Sequence, residues 1–432
     1  MKPFSTTDEY QSGPASAGGY VHEEATSFVE FCVELDNQDD RLQHPKKTDA
    51  WPRIDATLWD PHPIYDSREA VAADYIAYKK AGSPVPKAGQ ELPADDDVAY
   101  WWKLYAQIED NARRTGVSDL TEETIRNNAN LNGFGPWQNA WLLYQGRGRN
   151  AGKYAIAIRG TVFSNTPSAV EDLFFQPLMA QSFLSNAVSF SDSSLAAIHS
   201  GFAHATFTTL LDARYGILPV IDRKVPSGSP LFVVGHSQGA AMATLVHAFL
   251  HHAMRDADRN GRDPFGLKGK AYRLKSYVFA QPKPGNYQFA AEFSRFTQNV
   301  DNAIVINNDI DPVPKVPFTL QASEDLATDF KGRFLVARAV HFVSAFGKSI
   351  RRLISAVGEP IVRQSAASYG RFYQYGQIKP VDKERTGSSW DFVPAGRVIL
   401  VFGTPAQDQQ DDIFLQHHAT TYRKLIGEQL GR

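Results

Sequence analysis

The sequence predicts an α/β fold, a mostly parallel central sheet with helices on both faces. Three observations carry that expectation. Short, continuously apolar runs alternate with helical stretches from about residue 137 onward. Strands covered on both faces read as such runs, whereas half-exposed strands alternate polar and apolar residues. One run, Leu231 to Val234, passes straight through Gly235-His236-Ser237-Gln238-Gly239 into an alanine-rich helix from Ala240 to Met254. Finally, 432 residues with 43% hydrophobic and 21% charged residues are enough for a large buried core.

Taken in order, residues 1–20 are rich in Ser, Gly, Thr and Pro and read as a disordered N-terminus. Residues 21–136 read as an N-terminal helical extension. Phe28, Phe31, Cys32 and Leu35 fall at helical spacing, and Ala70 to Ala81 and Ala99 to Arg114 read as two further helices. The second carries Trp101, Trp102, Leu104 and Tyr105, an aromatic stripe of the kind that packs into a core. Asp49 to Asp66, with its prolines and tryptophans, reads as irregular. Ala140 to Tyr144 and Tyr154 to Ile158 predict a hairpin across Gly146 to Asn150. Ala196 to Phe202 leads into a helix through Leu211. Tyr277 to Ala280, Ala303 to Asn307 and Val398 to Phe402 complete the strands.

Gly235 to Gly239 is a Gly-x-Ser-x-Gly segment in a strand–turn–helix setting. A sharp turn at that place lifts the serine hydroxyl to the carboxyl edge of a sheet, with glycines where side chains would collide. The Ser237 and Gln238 amides head the following helix, where developing negative charge is stabilised. The pattern alone also fits an ordinary glycine turn. The buried strand before it and the small-residue helix after it favour a nucleophile.

Composition limits the alternatives. A net charge of −2 gives no pull toward nucleic acid or anionic membrane. The single cysteine, Cys32, excludes an internal disulfide and reads as a core residue. The first ten residues lack the apolar run of a secretory signal, and no stretch reaches the roughly 18 apolar residues of a membrane span. The expected location is cytoplasmic, or exported without a cleaved signal.

Further motifs follow in a fixed order: Ile158-Arg-Gly-Thr161, His199-Ser-Gly-Phe202, Gly235-His-Ser-Gln-Gly239, Gln281-Pro-Lys-Pro-Gly-Asn286 and Asp311-Pro-Val-Pro-Lys-Val-Pro317, then a late His before a Tyr. In these motifs the chain resembles the class 3, or fungal-type, triacylglycerol lipases of the α/β-hydrolases, densely over residues 137–318 and thinly over 395–426. The resemblance implies an α/β-hydrolase domain over 137–432, with a basic helical insert at about 318–392. It also implies a serine hydrolase of carboxylic esters, with acylglycerols or other lipid esters as substrates. A phospholipase A1, a soluble carboxylesterase and a catalytically silent lipase-like binding protein are the alternatives.

Ester hydrolysis of this kind needs a nucleophile, a base, an acid that orients the base, and an oxyanion site, and it requires no metal or organic cofactor. Ser237 is the candidate nucleophile. Asp311, just beyond a strand, is the candidate acid, with Asp309 and Asp301 as rivals. The base must follow the acid in this fold's chain order, which leaves His341, His417 and His418. The four residues between His and Tyr in similar lipases select His417, with His418 a close second. His341 lies in a helical, basic stretch and reads as surface. By the same resemblance Thr161 and the Gln238 amide form the oxyanion hole, and His236 packs beside the turn without direct chemistry, with His199 structural too.

Three other signals bear on function. Asp256 to Asp263 resembles the start of a calcium loop, but Leu267 stands where the bidentate glutamate belongs, so a solvated helix end is expected. His247 and His251 are four apart, as zinc ligands can be, and read instead as a polar helix face. Lys331 to Arg371 holds eight Lys or Arg residues, one acid and an apolar stripe. It reads as a lid, a lipid-facing helix or a packed helix with a solvated basic face. A lipid or ester substrate and contact with a membrane or lipid-droplet surface are the expected partners.

Overall fold

The structure is a computed structural model. It describes residues 18–36, 51–82, 96–135, 137–160, 177–181, 189–212, 214–261, 263, 265–298, 301–316, 392–404 and 415–431. Thr161, His341 and the basic insert therefore lie outside the described residues.

In chain order the strands are β1 (Tyr65–Asp66), β2 (Trp141–Gln145), β3 (Tyr154–Ile158), β4 (Pro177–Met179), β5 (Ala197–His199), β6 (Pro230–His236), β7 (Arg273–Phe279), β8 (Gly285–Asn286), β9 (Ala303–Asn308), β10 (Phe392–Val393) and β11 (Arg397–Val401). A seven-stranded sheet runs β1-β2-β3-β6-β7-β9-β11. Its first three strands are antiparallel, with Trp141 opposite Ile158 in the predicted hairpin, and β3, β6, β7, β9 and β11 are parallel. This is the α/β-hydrolase architecture. A second, four-stranded sheet, β10-β8-β5-β4, is small and antiparallel.

The helices are α1 (His22–Asp36), α2 (Ser67–Lys80), α3 (Asp96–Thr115), α4 (Glu122–Arg126), α5 (Ser200–Leu211), α6 (Ile217–Lys224), α7 (Gln238–Asn260), α8 (Tyr287–Gln298) and α9 (Ala419–Gln429). They build two cores, one on each face of the large sheet. Side chains of a strand point alternately to opposite faces. Leu231 and Val233 enter the core beneath α2, α3, α5, α6, α7 and α8. Phe232 and Val234 enter the other core, beneath α1 and α9. Both sets are buried, which is why the run Leu231 to Val234 shows no alternation in sequence.

Residues of the N-terminal extension contribute to the sheet and to both cores. β1 pairs with β2. α1 buries Phe28, Val29, Phe31, Cys32 and Leu35, and Phe31 stacks on Tyr144 with ring centroids 3.9 Å apart. Three polar anchors hold α1 in place. Near its start, Lys275 Nζ and Tyr277 Oη meet Glu24 Oε2 at 2.7 and 2.9 Å. In its middle, Glu30 Oε2 accepts from Arg423 of α9 at 2.9 Å. At its end the buried Arg68 guanidinium donates to the Glu34 carbonyl at 3.3 Å and the Glu34 carboxylate at 3.1 Å. Arg68 is itself held by Asp66, whose carboxylate also accepts from the Arg68 amide at the start of α2.

His247 and His251 do not lie on a polar helix face. Both are buried in α7, which is covered on that side by Phe293 and Phe296 of α8. Burial pushes the His247 imidazole down to about 3 and keeps it neutral. Their polarity in sequence concealed a core role. At the end of α7, Gly261 takes the left-handed conformation that closes the helix. Asp258 in the last turn of α7 accepts the Gly269 amide, and Asp263 beyond Gly261 accepts the Leu267 and Lys268 amides, so these acids brace a loop.

Candidate active site

Ser237 sits between β6 and α7 with φ 59° and ψ −133°, a conformation that L side chains rarely adopt. Strain of this kind is worth about 1–3 kcal/mol and persists only where surrounding structure enforces it. Here the Ser237 amide donates to the Phe279 carbonyl at 3.0 Å, and the flanking glycines leave no slack. A Cβ at Gly235 would overlap the Gly239 carbonyl, and one at Gly239 would overlap the Ile158 carbonyl. The turn therefore packs backbone on backbone, against the end of β3. Gln238, buried, is the first residue of α7.

Asp311 lies in the loop after β9, fully buried. Its Oδ1 accepts the Val313 amide at 2.9 Å. Its Oδ2 accepts the Tyr422 hydroxyl at 2.8 Å and lies 2.9 Å from His417 Nδ1. The other ring nitrogen, Nε2, lies 2.8 Å from Ser237 Oγ. The unbroken sequence is Asp311–His417–Ser237, with Nδ1–H donating to the carboxylate and Nε2 accepting from the hydroxyl. Burial pushes the His417 imidazole below its ordinary value, and Asp311 pulls it the other way. The ring is thereby held neutral and able to accept a proton.

His417 ends a short 3-10 turn, Leu415–His417, that leads into α9. His418, one residue on, is exposed at the cap of that helix. Tyr422 rises from the first turn of α9, where its hydroxyl accepts the Asn308 amide at 2.9 Å while donating to Asp311. Asp309 instead holds the Gly403 amide, and Asp301 pairs with Arg397. His199 caps α5, its Nδ1 accepting from the Phe202 amide at 3.3 Å. His236 packs against the His417 ring with centroids 4.7 Å apart, and it touches a residue that sequence reasoning did not single out, Asp36 at the end of α1. Nothing in the sequence near Asp36 marks it, because the contact spans 200 positions of chain.

Among the described residues one group has the makings of a cation site: Asp192, His252 and Glu292, with ligand atoms within 4.8 Å of one another. Its oxygens are already engaged. Arg255 binds Asp192 in a fork at 2.5 and 2.8 Å. Glu292 accepts the Asp192 and Ser193 amides at 2.6 and 2.9 Å and the Ser191 hydroxyl. A guanidinium occupies the charge that a metal would supply, so the group braces the 189–193 loop.

A buried serine–histidine–aspartate sequence on a strand–turn–helix elbow, within a mostly parallel sheet, defines the class of α/β-hydrolases. The family model for Lipase (class 3) matches residues 155–321. The matched segment runs from β3 through the elbow and past Asp311. The comparison with curated proteins returns no match. Similar solved structures include a triacylglycerol lipase whose catalytic centre is described as a serine protease triad, at 23% identity and a TM-score of 0.28, over 42% of this chain and 57% of that one. Another is the triacylglyceride lipase of Rhizomucor miehei, at 20% identity and 0.30, with the same two coverages, 42% and 57%. A third is M37 lipase, at 18% and 0.40, over 68% and 76%. The chain thus spans a little over half the length of the first two. Among the described residues no helix is long and apolar enough to cross a membrane.

Proposed function

We propose that the chain is a serine hydrolase of carboxylic esters, acting on acylglycerols or other lipid acyl esters. The observation that carries this reading is the hydrogen-bonded sequence from Asp311 through His417 to Ser237, with both imidazole nitrogens engaged. Ser237 Oγ attacks the acyl carbonyl as His417 Nε2 takes its proton, and Asp311 stabilises the resulting imidazolium. The oxyanion forms at the head of α7, facing the Gln238 amide, with Thr161 as the opposing donor. One such donor is worth about 3–4 kcal/mol in the transition state. His417 returns the proton to the leaving alcohol. Water then enters, loses a proton to the same nitrogen, and releases the fatty acid from Ser237. Ser237, His417 and Asp311 suffice for each of these proton movements. Contact with a lipid surface, through the basic run from Lys331 to Arg371, belongs to this proposal.

Labelling by a fluorophosphonate, followed by a panel of short and long p-nitrophenyl esters, triglyceride and phospholipid, tests the reading. The native chain should label at one serine, and Ser237→Ala should abolish both labelling and turnover while keeping the fold. His417→Ala should lose turnover by roughly six orders of magnitude, and His418→Ala should keep most of it. Preference for phospholipid would make the enzyme a phospholipase A1, and preference for short soluble esters a carboxylesterase. A folded chain that neither labels nor cleaves any ester would leave a lipase-like binding protein.

A further inference from the structure

Behind the Asp311–His417 pair stands a second pairing of carboxylate and imidazole. His236, 4% exposed, has its Nε2 2.6 Å from the His417 carbonyl oxygen. A carbonyl oxygen only accepts, so His236 Nε2 carries a proton. On the other side of the ring, His236 Nδ1 lies 2.7 Å from Asp36 Oδ2. The two atoms meet off the line of an N–H bond, as an ion pair more than a directed hydrogen bond. Two lone pairs do not approach so closely, so a proton lies between Nδ1 and the carboxylate oxygen, and the carboxylate beside it favours the protonated ring. Both nitrogens of His236 therefore carry protons, and the ring is an imidazolium. It is stacked obliquely on the proposed base at 4.7 Å.

We propose that Asp36 and His236 are positioning residues for the ester hydrolysis put forward above: together they anchor the backbone of His417, and the positive charge on His236 makes His417 easier to free of its proton.

The anchoring follows from geometry. His236 ends β6, the central strand of the large sheet, and its N–H holds the carbonyl of the one residue whose ring must reach Ser237. Asp36 is fixed in turn by Arg68, which grips the Glu34 carbonyl and carboxylate two residues earlier. The charge follows from the surroundings. Burial pushes His236 down, but Asp36, Asp311 and the His417 carbonyl together carry it above its ordinary value. Around His417 the facing groups are Asp311 from the loop after β9, His236 from β6, Asp36 from α1, Tyr422 from α9 and Ser237. Burial is the largest influence and pushes the base down; Asp311 pushes it up, His236 pushes it down, and Asp36, the weaker of the two carboxylates, pushes it up, with the net direction down. The part that His236 adds favours the neutral, proton-accepting form. This inference rests on the proposed function and adds to it a contribution from α1, outside the lipase-like segment.

The test is the pH dependence of kcat/KM on a soluble p-nitrophenyl ester, whose acid limb reports the free enzyme's base. His236→Gln keeps an N–H for the His417 carbonyl and removes the charge. The acid limb should move up by about 1 pH unit, as expected for loss of one charge at this separation in a partly solvated site. Asp36→Asn should move it the same way by less, because the unpaired, buried His236 then sheds its proton. Asp36→Glu should restore the native profile. Equal loss at every pH in His236→Gln, or an unmoved limb, overturns the proposal in favour of simple packing. Should His236→Gln fail to fold, the Asp36 pair decides: identical limbs for Asn and Glu overturn it. Fluorophosphonate labelling of the native chain separates this failure from the broader one. A native chain that does not label and cleaves no ester overturns the proposed function and this inference together.

Discussion

Tyr422→Phe deletes one oxygen atom and disturbs two partners. The Tyr422 hydroxyl donates to Asp311 Oδ2 at 2.8 Å and accepts from the Asn308 amide at 2.9 Å. All three residues are buried, so water does not readily replace the lost atom. Asp311 keeps the Val313 amide and His417, but loses one of three donors. A hydrogen bond to a charged group contributes about 1.5–3 kcal/mol, and a buried amide left without an acceptor costs about 1–3 kcal/mol. The two overlap in one hydroxyl, so the expected loss of stability is about 2–4 kcal/mol. Some of this reaches the chemistry. Asp311 Oδ2 is the oxygen that orients His417, and its other tether is gone. A transition-state penalty of about 1.4 kcal/mol lowers kcat about tenfold. Urea denaturation gives the first quantity. Steady-state kinetics on a p-nitrophenyl ester, normalised to serines titrated by fluorophosphonate, gives the second. A variant within 0.5 kcal/mol of the native protein, by rough allowance for a neutral surface change, and with unchanged kcat per titrated serine, would refute the reasoning.

Two further outcomes are expected. Gly239→Ala should give a chain that is unfolded or inactive, since its Cβ would overlap the Ile158 carbonyl and stand 2.7 Å from that of Arg159; normal labelling and circular dichroism would contradict this. Acid should destabilise the fold through buried histidines. Burial pushes His204 down to about 4 and His247 to about 3, so below about 6.5 the unfolded chain binds protons that the folded one refuses. Stability should be full above that pH and fall toward pH 4 by about 1.4 kcal/mol per unit for each such group. Denaturation midpoints at about pH 7, 5.5 and 4, evenly spaced steps through that window, check the sign.

The elbow was legible because its physics is local. Strand, turn glycines and small-residue helix occupy one continuous stretch, and Gly235, Gly239 and Ala240 each meet backbone or core where sequence reasoning placed them. The strands were legible because double-sided burial makes them continuously apolar. The separation of His417 from His418 drew on the spacing to Tyr422, which the structure turns into a physical reason: one turn of α9 carries the tyrosine onto the same carboxylate as the histidine. His247 and His251 were misjudged because an imidazole packed on the phenylalanine rings of a neighbouring helix looks, in sequence, like one facing water. Asp36 was invisible for a different reason. Its importance comes from three separate anchors along α1, made by Lys275, Arg423 and Arg68, and no local pattern encodes an arrangement that the whole sheet must first assemble.

The packing of α1 beside α9 also sets a timetable. A ribosome delivers α1 early and α9 last of the described helices, with the elbow between them. The hydroxyl of Ser237 can be in place while His417 is still unmade, and the face that α1 covers stays open until α9 arrives to share it. Contacts this far apart in the chain close slowly, since a long loop must be gathered before any of them forms. On the proposed reading, the growing chain is chemically silent, and its serine becomes a nucleophile only when α9 docks against α1.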